Sequence, residues 1–333
     1  MSGLGLLEIT AGVRRLLEVC AAVRRDERVL IVTDTSFDDA IVAAFAVIVK
    51  EMRAEPVIMT MERRRVPGEE PPRPVAAAMK AADVILELTS QFIGSSRARV
   101  DACNAGARYL VLAQLHRANL VEGGAVWADF DGIKPLAERL GEQFSRAKRI
   151  RFVNPAGTDL TASIEGRRGR PLVGLAREKG GYAAPPDIEV GVSPVEDSAN
   201  GTIVIDGALL LMADGVLREP VRILVKDGKA VSIEGQEAYP LREMIRRCGD
   251  DPRMFNLAEM SIGLNPLGRL SGLALESEAA LGTGHIALGN NVAYGGRVDA
   301  PGHLDCVLRD VSLYLDGELI ADKGRFVGEG VAS

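Results

Sequence analysis

The stretch RVLIVT, residues 28–33, is the clearest indication of fold in this 333-residue sequence. Its continuous apolar centre is typical of a strand that is buried on both faces, as strands of parallel sheets are. Before it, apolar side chains from Ile9 to Cys20 recur at helical spacing. After it, Asp34 or Ser36 can cap a helix that runs through Lys50. Helix, buried strand and helix in succession predict the beginning of an α/β domain.

The same alternation continues to about residue 150. The predicted strands are 57–61, 84–89 and 108–114, and the predicted helices between them are 75–82 and 96–105. Residues 67–74 are rich in proline and are predicted to form a loop. Apolar strands separated by helices indicate a parallel sheet covered on both faces. The sequence therefore predicts an α/β domain with a doubly wound parallel sheet over residues 1–150.

From Arg151 onward the chain is rich in glycine and in short β-type segments. These segments are 151–155, 160–164, 201–206, 221–226, 230–234 and 312–315. Asp227-Gly228 and Asp316-Gly317 are hairpin turn signals, and one helix is predicted over 240–247. The second predicted domain, residues 151–333, is therefore β-rich and of the α+β class.

Composition and charge exclude several kinds of partner. The chain has 40 basic and 46 acidic residues, a net charge of −6, so no nucleic acid partner is predicted. The longest apolar run, Ala40 to Val49, is too short to cross a membrane, and Met1 to Glu8 lacks the pattern of a signal peptide. Four scattered cysteines fit reduced thiols. We expect a cytoplasmic protein without a membrane partner.

The glycine-dense segment from Gly282 to Asp305 contains two of the three histidines, His285 and His303. On a strand, residues i and i+2 project from one face, so His303 and Asp305 project together. An imidazole nitrogen and a carboxylate oxygen can converge on one cation, and His285 can add a third ligand from a neighbouring strand. A histidine packed in the core against a backbone carbonyl is the alternative for either residue alone. The His-x-Asp pattern beside a second histidine favours a metal site.

Two glutamates lie in settings that make a free carboxylate costly. Glu259 lies in the apolar segment NLAEMSIG, residues 256–263, with no basic residue between Arg253 and Arg269. Glu189 lies in PPDIEV, residues 185–190. A carboxylate in a sparsely charged β core is destabilising unless a cation meets it. An exposed strand position is an open alternative for Glu189 and a weaker one for Glu259.

In combination, these motifs resemble the aminopeptidase T group of metallopeptidases, family M29, and its dihydroxypyridine dioxygenase-like relatives. The resemblance is carried by PPDIEV, SANGT at 198–202, NLAE at 256–259, GTGHIALG at 282–289 and HLD at 303–305. It covers about residues 151–326, and the first half of the chain matches only in its α/β character.

The resemblance implies a dinuclear metal site in the β-rich domain, hydrolysis of an N-terminal peptide bond, and a homodimer. By the same resemblance, the metal ligands are Glu189, Glu259, His285, His303 and Asp305.

The sequence departs from the peptidase pattern at one position. The peptidases use a tyrosine a few residues after the histidine of GHIALG, whereas this chain has Asn291 and Val292 at that spacing and Tyr294 slightly further on. The departure counts against peptide hydrolysis and leaves the implied metal ligands in place.

The preferred interpretation is a metal-dependent hydrolase that cleaves a peptide or amide bond of a short peptide or small molecule. Two divalent ions of zinc, cobalt or manganese would share carboxylates and activate a water molecule. Glu259 by preference, or Glu189, would act as general base.

The alternative is a mononuclear Fe(II) dioxygenase that cleaves the ring of a dihydroxypyridine-like aromatic. His285, His303 and Asp305 would form the two-histidine, one-carboxylate set of such enzymes. Glu189 and Glu259 would then transfer protons or contact the metal ligands. Phe255, Tyr182 and Trp127 are candidates for stacking on the substrate ring. A non-catalytic module is a third possibility, which leaves the clustering of ligand-type residues unexplained.

Overall fold

The computed structural model describes residues 4–327. The helices are α1 Leu4–Arg15, α2 Asp39–Glu51, α3 Arg73–Ala81, α4 Arg97–Asn104, α5 Arg117–Leu120, α6 Phe130–Arg146, α7 Tyr239–Arg247 and α8 Ala274–Ser277. The first strands are β1 Arg28–Asp34, β2 Glu55–Met61, β3 Val84–Leu88, β4 Arg108–Val111, β5 Arg149–Val153, β6 Asp159–Ser163, β7 Arg170–Leu172, β8 Tyr182–Ala183, β9 Glu189–Val192 and β10 Asn200–Ile205. The remaining strands are β11 Ala208–Leu209, β12 Val221–Lys226, β13 Lys229–Glu234, β14 Leu257–Gly263, β15 Gly284–Gly289, β16 His303–Leu308, β17 Ser312–Leu315, β18 Glu318–Asp322 and β19 Arg325–Phe326.

The chain folds into two compact units, of which the first contains a parallel sheet. The first unit comprises residues up to 130 together with Val173–Asp187. Its strand order is β2-β1-β3-β4-β8, and every pair is parallel. Helix α1 packs against α2, and α3 packs against α4. The predicted α/β character and the parallel sheet are confirmed.

Strand β1 is buried as the sequence predicted, whereas the helix that follows it begins at a different cap. Six of the seven residues of β1 are buried, as expected for a strand between two parallel neighbours. Helix α2 begins later than the sequence suggested, because Asp38, and neither Asp34 nor Ser36, provides the cap: its carboxylate accepts a hydrogen bond from the Ala40 backbone N–H.

The second unit contains two antiparallel sheets. An eight-stranded sheet has the order β13-β12-β10-β6-β5-β17-β18-β19, and a six-stranded sheet has the order β11-β16-β15-β14-β9-β7. Asp227 and Asp316 adopt positive φ at the turns that join β12 to β13 and β17 to β18, as the Asp-Gly signals predicted. The β-rich, α+β character of this part of the chain is therefore observed.

The two units do not follow a single boundary near residue 150. The second unit takes Asp131–Leu172 and the chain from Ile188 onward. Helix α6 belongs to it in large part, since the Ser145 hydroxyl of α6 accepts a hydrogen bond from the Gly169 backbone N–H at 2.9 Å. The segment 173–187 returns to the first unit because β8 pairs with β4. The returning strand is two residues long and is not marked by a pattern in the sequence.

Residues 4–327 contain no helix that is both long and apolar enough to span a membrane. All four cysteines are free thiols.

Glu87, on the central strand β3, gives a pH-dependent prediction for stability. Its carboxyl group accepts hydrogen bonds from the Ile93 backbone N–H at 2.7 Å and the Tyr109 hydroxyl at 2.8 Å. Burial nevertheless raises the pKa of Glu87 from 4.5 to about 7. Between these two values the unfolded chain releases a proton that the folded chain retains, so the free energy of unfolding falls as pH rises. The expected fall is about 3 kcal/mol, and it is complete above about pH 7.

The substitution Glu87→Gln should remove this dependence, because the amide carries no titrating proton. Urea unfolding of both proteins at pH 5 and pH 7.5 measures it: the variant should gain stability relative to wild type at the higher pH. An identical pH dependence in the two proteins would show that Glu87 does not titrate as described.

Candidate metal centre

The five ligand residues predicted from the sequence lie on one face of the six-stranded sheet. In the antiparallel register Glu259 is opposite Ala287, which in turn is opposite Asp305. Ser261, two residues after Glu259, is opposite His285. Directly opposed residues and residues two apart on a strand share a face. The pairs Gly289–His303 and Gly263–Glu189 place the other two ligand residues on this same face.

A bulge in β14 directs Glu259 toward this face. Leu257 is opposite Leu288, but Glu259 is opposite Ala287, so Ala258 is the extra residue of the pair. Without the bulge, residues 257 and 259 would share a face, and Glu259 would project on the side of Leu288. Bulges near functional sites commonly reorient a side chain in this way.

The five side chains form one continuous cluster. His285 Nε2 lies 3.3 Å from Glu189 Oε2 and 3.5 Å from Glu259 Oε1. His303 Nε2 lies 3.1 Å from Glu259 Oε2 and 3.2 Å from Asp305 Oδ1. The two carboxylate oxygens of Glu259 thus face the two histidines, one oxygen to each. Glu259 is fully buried, which places it at the centre of the cluster.

The hydrogen bond at the far side of His303 fixes which nitrogen is available as a ligand. Its Nδ1 lies 2.7 Å from the backbone carbonyl oxygen of Asn290, to which an Nδ1–H group donates. In the neutral imidazole the Nε2 atom then carries the lone pair, and it points at Glu259 and Asp305. This arrangement of a histidine between a carbonyl and a cation site recurs in metalloproteins.

Among the described residues, the negative charges of the cluster are not balanced by lysine or arginine side chains. Within residues 4–327, no lysine or arginine forms an ion pair with Glu189, Glu259 or Asp305. Burial raises the pKa of Glu189 well above its ordinary value, although His285 opposes the shift. Burial acts in the same direction on Glu259, but the hydrogen bonds with His285 and His303 lower its pKa far below the ordinary value.

The nearby acids also shift the pKa values of both histidines. Burial favours the neutral imidazole, yet the nearby carboxylates outweigh it and raise the pKa of His285 and of His303 well above 6.5. In the protein without a cation, protons on the imidazoles therefore offset part of the negative charge. A bound cation would take the place of these protons, which couples metal binding to pH.

The donor set fits a metal ion. Oε2 of Glu189 and Nδ1 of His285 are buried and make no hydrogen bond. The absence of a side chain at Gly191 leaves room beside the acids, since a Cβ there would lie 2.0 Å from Ser261 Oγ and 2.7 Å from Glu259 Oε1. Imidazole and carboxylate groups suit zinc, iron and manganese.

The ligand residues form three groups, and within each group the ligand atoms lie within 4.8 Å of one another. The groups are Glu189, Glu259 and His285; Glu259, His303 and Asp305; and Glu278, His285 and Asp305. Each group contains one histidine, so the predicted iron set of His285, His303 and Asp305 is divided between two of them. Asp305 and Glu259 are common members, since each of them shares a group with each histidine. Glu278 was not predicted, because ESE at 276–278 resembles an ordinary helical surface.

Tyr294, which the sequence analysis named only as displaced from the position of the peptidase tyrosine, also contacts the cluster. Its ring stacks on the His303 imidazole, with centroids 5.7 Å apart and planes inclined by 4°. The Arg170 guanidinium lies 4.5 Å from the centre of the same ring. Tyr182 and Trp127, which were proposed as stacking partners, belong to the first unit, where Tyr182 stacks on Tyr109 and Arg15 lies over Trp127.

Comparison with known proteins identifies the relatives of this chain. The sequence model of the family NicX, described as 2,5-dihydroxypyridine 5,6-dioxygenase, matches residues 8–328. The chain belongs to the NicX family. Among its relatives is the 2,5-dihydroxypyridine 5,6-dioxygenase of Pseudomonas putida KT2440, which is 28% identical over 193 residues. That alignment covers 55% of this chain and 55% of the relative, so it spans about half the length of that protein.

Two solved structures share the fold of this NicX family member. The 2,5-dihydroxypyridine dioxygenase from Pseudomonas putida KT2440 has a TM-score of 0.78 at 20% identity, over 97% of each chain. AmpT from Thermus thermophilus has a TM-score of 0.67 at 15% identity, over 97% of this chain and 99% of that one. At these identities the likeness concerns the fold. The resemblance inferred from the sequence, to the aminopeptidase T group and its dihydroxypyridine dioxygenase-like relatives, is confirmed.

Proposed function

We propose that this protein is a mononuclear Fe(II) dioxygenase that cleaves the ring of a dihydroxypyridine-like aromatic. The observation that carries the proposal is a cluster in which shared carboxylates link two histidines: Asp305, like Glu259, shares a group of ligand atoms with His285 and another with His303. Membership in the NicX family supports this reaction over hydrolysis, which the sequence alone had favoured.

His285, His303 and Asp305 would hold the iron. A ferrous ion in such a site supplies open positions for O₂ and for an aromatic diol. The carbonyl of Asn290 keeps His303 in the tautomer whose Nε2 faces the cluster. The sheet on which all three residues lie keeps their spacing fixed, as a site for an ordered reaction requires.

Glu259 has the role of proton acceptor in this proposal. A diol must lose a hydroxyl proton as it binds, and Glu259 is ionised and lies within 3.5 Å of both histidines. Glu189 lies 3.3 Å from His285, and burial raises the pKa of its carboxyl group. The two glutamates therefore orient the histidines, and Glu259 is positioned as the proton acceptor.

A metal-dependent hydrolase is the second candidate, and the number of acids in the cluster favours it. Glu189, Glu259, Glu278 and Asp305 supply enough carboxylates to share two divalent ions such as zinc, cobalt or manganese. The fold likeness to AmpT is compatible with this reaction. In this case Glu259 would bridge the ions or act as general base toward a short-peptide substrate. The homodimer and the cytoplasmic location stay predictions from the sequence.

Reconstitution with single metals separates the two reactions. We expect O₂ uptake with 2,5-dihydroxypyridine only when metal-free protein receives Fe(II), because zinc does not exchange electrons with O₂. Oxygen consumption and the absorbance of the ring would be followed after addition of Fe(II), Mn(II), Co(II) or Zn(II).

Release of N-terminal amino acids from short peptides, measured without O₂, serves as the matched assay for hydrolysis. Peptide cleavage with zinc, cobalt or manganese, together with no oxygen uptake under Fe(II), would replace the dioxygenase by the hydrolase.

A further inference from the structure

A cavity of about 450 Å³ in the second unit adjoins the metal cluster through Tyr294. Three loops line it: the turn after β6, the segment after β9, and the connection between β15 and β16. Tyr294 is common to both sites, since it lines the cavity and stacks on His303. The volume lies within the range of pockets for small molecules and is larger than a single six-membered ring requires.

Two of the acids at the cavity are already neutralised by basic partners. Glu196 is ion-paired with Arg167, and both side chains are largely buried, at 7% and 13% exposed. Glu196 also accepts a hydrogen bond from the Arg297 backbone N–H at 2.7 Å. Glu165 is paired with Lys148 at 3.0 Å.

Arginine side chains remain in excess after this pairing. The Arg297 side chain is 78% exposed, and its Nε lies 3.5 Å from Glu196 Oε2. Arg168 is exposed, and no ion pair or hydrogen bond of its side chain occurs within residues 4–327. Arg170 adds a third positive charge behind the Tyr294 ring. A protein with a net charge of −6 thus has a locally cationic cavity beside its metal cluster.

We propose that this cavity binds a carboxylate group of the substrate through Arg168 and Arg297. The substrate class is then a hydroxylated aromatic ring that bears an anionic substituent, with the ring near Tyr294 and the anion at the arginines. Cleavage of this ring by the enzyme rests on the proposed function, whereas binding of a carboxylate in the cavity does not.

The guanidinium group is the side chain best suited to this role. Its planar N–H groups match the two oxygens of a carboxylate, and such charge-assisted bonds are stronger than neutral ones. The buried Arg167–Glu196 pair holds the loops in place, because Arg167 also donates to the backbone carbonyl of Gly295. A neutral diol would form no charge-assisted bond with Arg168 or Arg297, so a preference for an anionic ring would distinguish a carboxylate site from two solvated surface side chains.

Binding to metal-free protein tests the cavity independently of catalysis. The probes are 4-hydroxybenzoate and 4-hydroxybenzamide, which differ in charge and little in shape, and calorimetry gives both affinities. We expect the acid to bind wild-type protein at least about tenfold more tightly than the amide. This preference for the acid should disappear in the double variant Arg168→Gln, Arg297→Gln. With lysine at both positions it should persist in part. In wild-type protein it should weaken as the salt concentration increases.

Arg222→Gln is the matched control, because Arg222 is an exposed arginine on β12, outside the cavity lining. It should leave the preference for the acid unchanged. Equal binding of acid and amide to wild-type protein, undetectable binding of the acid, or an unchanged preference in the double glutamine variant would each overturn the proposal.

Turnover distinguishes failure of this inference from failure of the proposed function. With Fe(II) and O₂, a dihydroxypyridine that carries a ring carboxylate should show a KM at least about tenfold higher in the double variant, and the unsubstituted ring should not. Absence of ring cleavage with a retained preference for 4-hydroxybenzoate would reject the dioxygenase alone. Cleavage of the unsubstituted ring without any preference for the acid would reject the carboxylate site alone.

Discussion

Alanine at His303 or at Asp305 is expected to abolish metal-dependent activity and to weaken metal binding by more than about 100-fold. Removal of a ligand costs more than the 10- to 100-fold loss typical of residues that only contact a ligand. The two side chains are 19% and 20% exposed, so their truncation removes some packing, including the ring contact with Tyr294, but the backbone pairing of β16 with β15 remains and should retain the fold. Metal content after anaerobic reconstitution, together with circular dichroism and thermal unfolding, measures both parts of this expectation.

The third histidine provides the control for this pair of variants. His116 lies in the first unit, where its Nδ1 accepts a hydrogen bond from the Ala118 backbone N–H and caps α5. His116→Ala should therefore cost at most about 2 kcal/mol of stability and no metal. Wild-type metal content in both the His303 and the Asp305 variants would show that the cluster is not the metal site.

Strand periodicity made part of the site predictable. His303 and Asp305 are two residues apart on β16, so any extended backbone projects them from one face. Glu259 was predicted for a different reason, since an apolar segment without a nearby basic residue leaves a carboxylate without a partner along the chain. Both arguments use only local properties of the sequence.

The relations between strands could not be derived in the same way. The bulge at Ala258 depends on how β14 pairs with β15, and the sequence gives no signal for the extra residue. Glu278 and Tyr294 reach the cluster from connections before and after β15, whose paths depend on packing. The two-residue strand β8 is defined by its partner β4 and by no property of its own sequence.

The fold was predictable to the extent that burial leaves a pattern. Strands β1 and β3 are buried along their length and appear in the sequence as apolar runs between helices. The edge strand β2 was recognised from its apolar composition, although several of its residues are exposed. A single boundary between domains could not describe a chain that enters each unit twice, because that path depends on contacts between residues far apart in sequence.

The choice between one ferrous ion and two divalent ions was not predictable, because both reactions use the same side chains. Either site requires His285, His303 and Asp305 on one sheet face, and the acids differ only in whether they bind the cation or contact its ligands. Glu259 decides the question, because it is the residue that faces both histidines.

The substitution Glu259→Gln should leave one iron bound per chain and lower the rate of ring cleavage by about 100- to 10,000-fold. Glutamine has nearly the same shape, so the fully buried position stays filled and Ser261 still has an acceptor for its hydroxyl hydrogen bond. What the amide loses is the negative charge that accepts a proton, and the pH profile of the remaining activity should change with it. Iron analysis and oxygen uptake over a range of pH measure these effects.

Ser261→Ala is the matched control for this variant, because it removes a hydrogen bond to Glu259 and keeps the carboxylate. It should retain iron and most of the activity. If Glu259→Gln instead lowers a metal content of two ions toward one and abolishes peptide cleavage, Glu259 bridges two cations. An amide oxygen carries no net charge to hold two dications close together, so such a loss is the signature of the hydrolase. Retained iron with slow ring cleavage is the opposite result, because a site built from His285, His303 and Asp305 does not need Glu259 as a ligand.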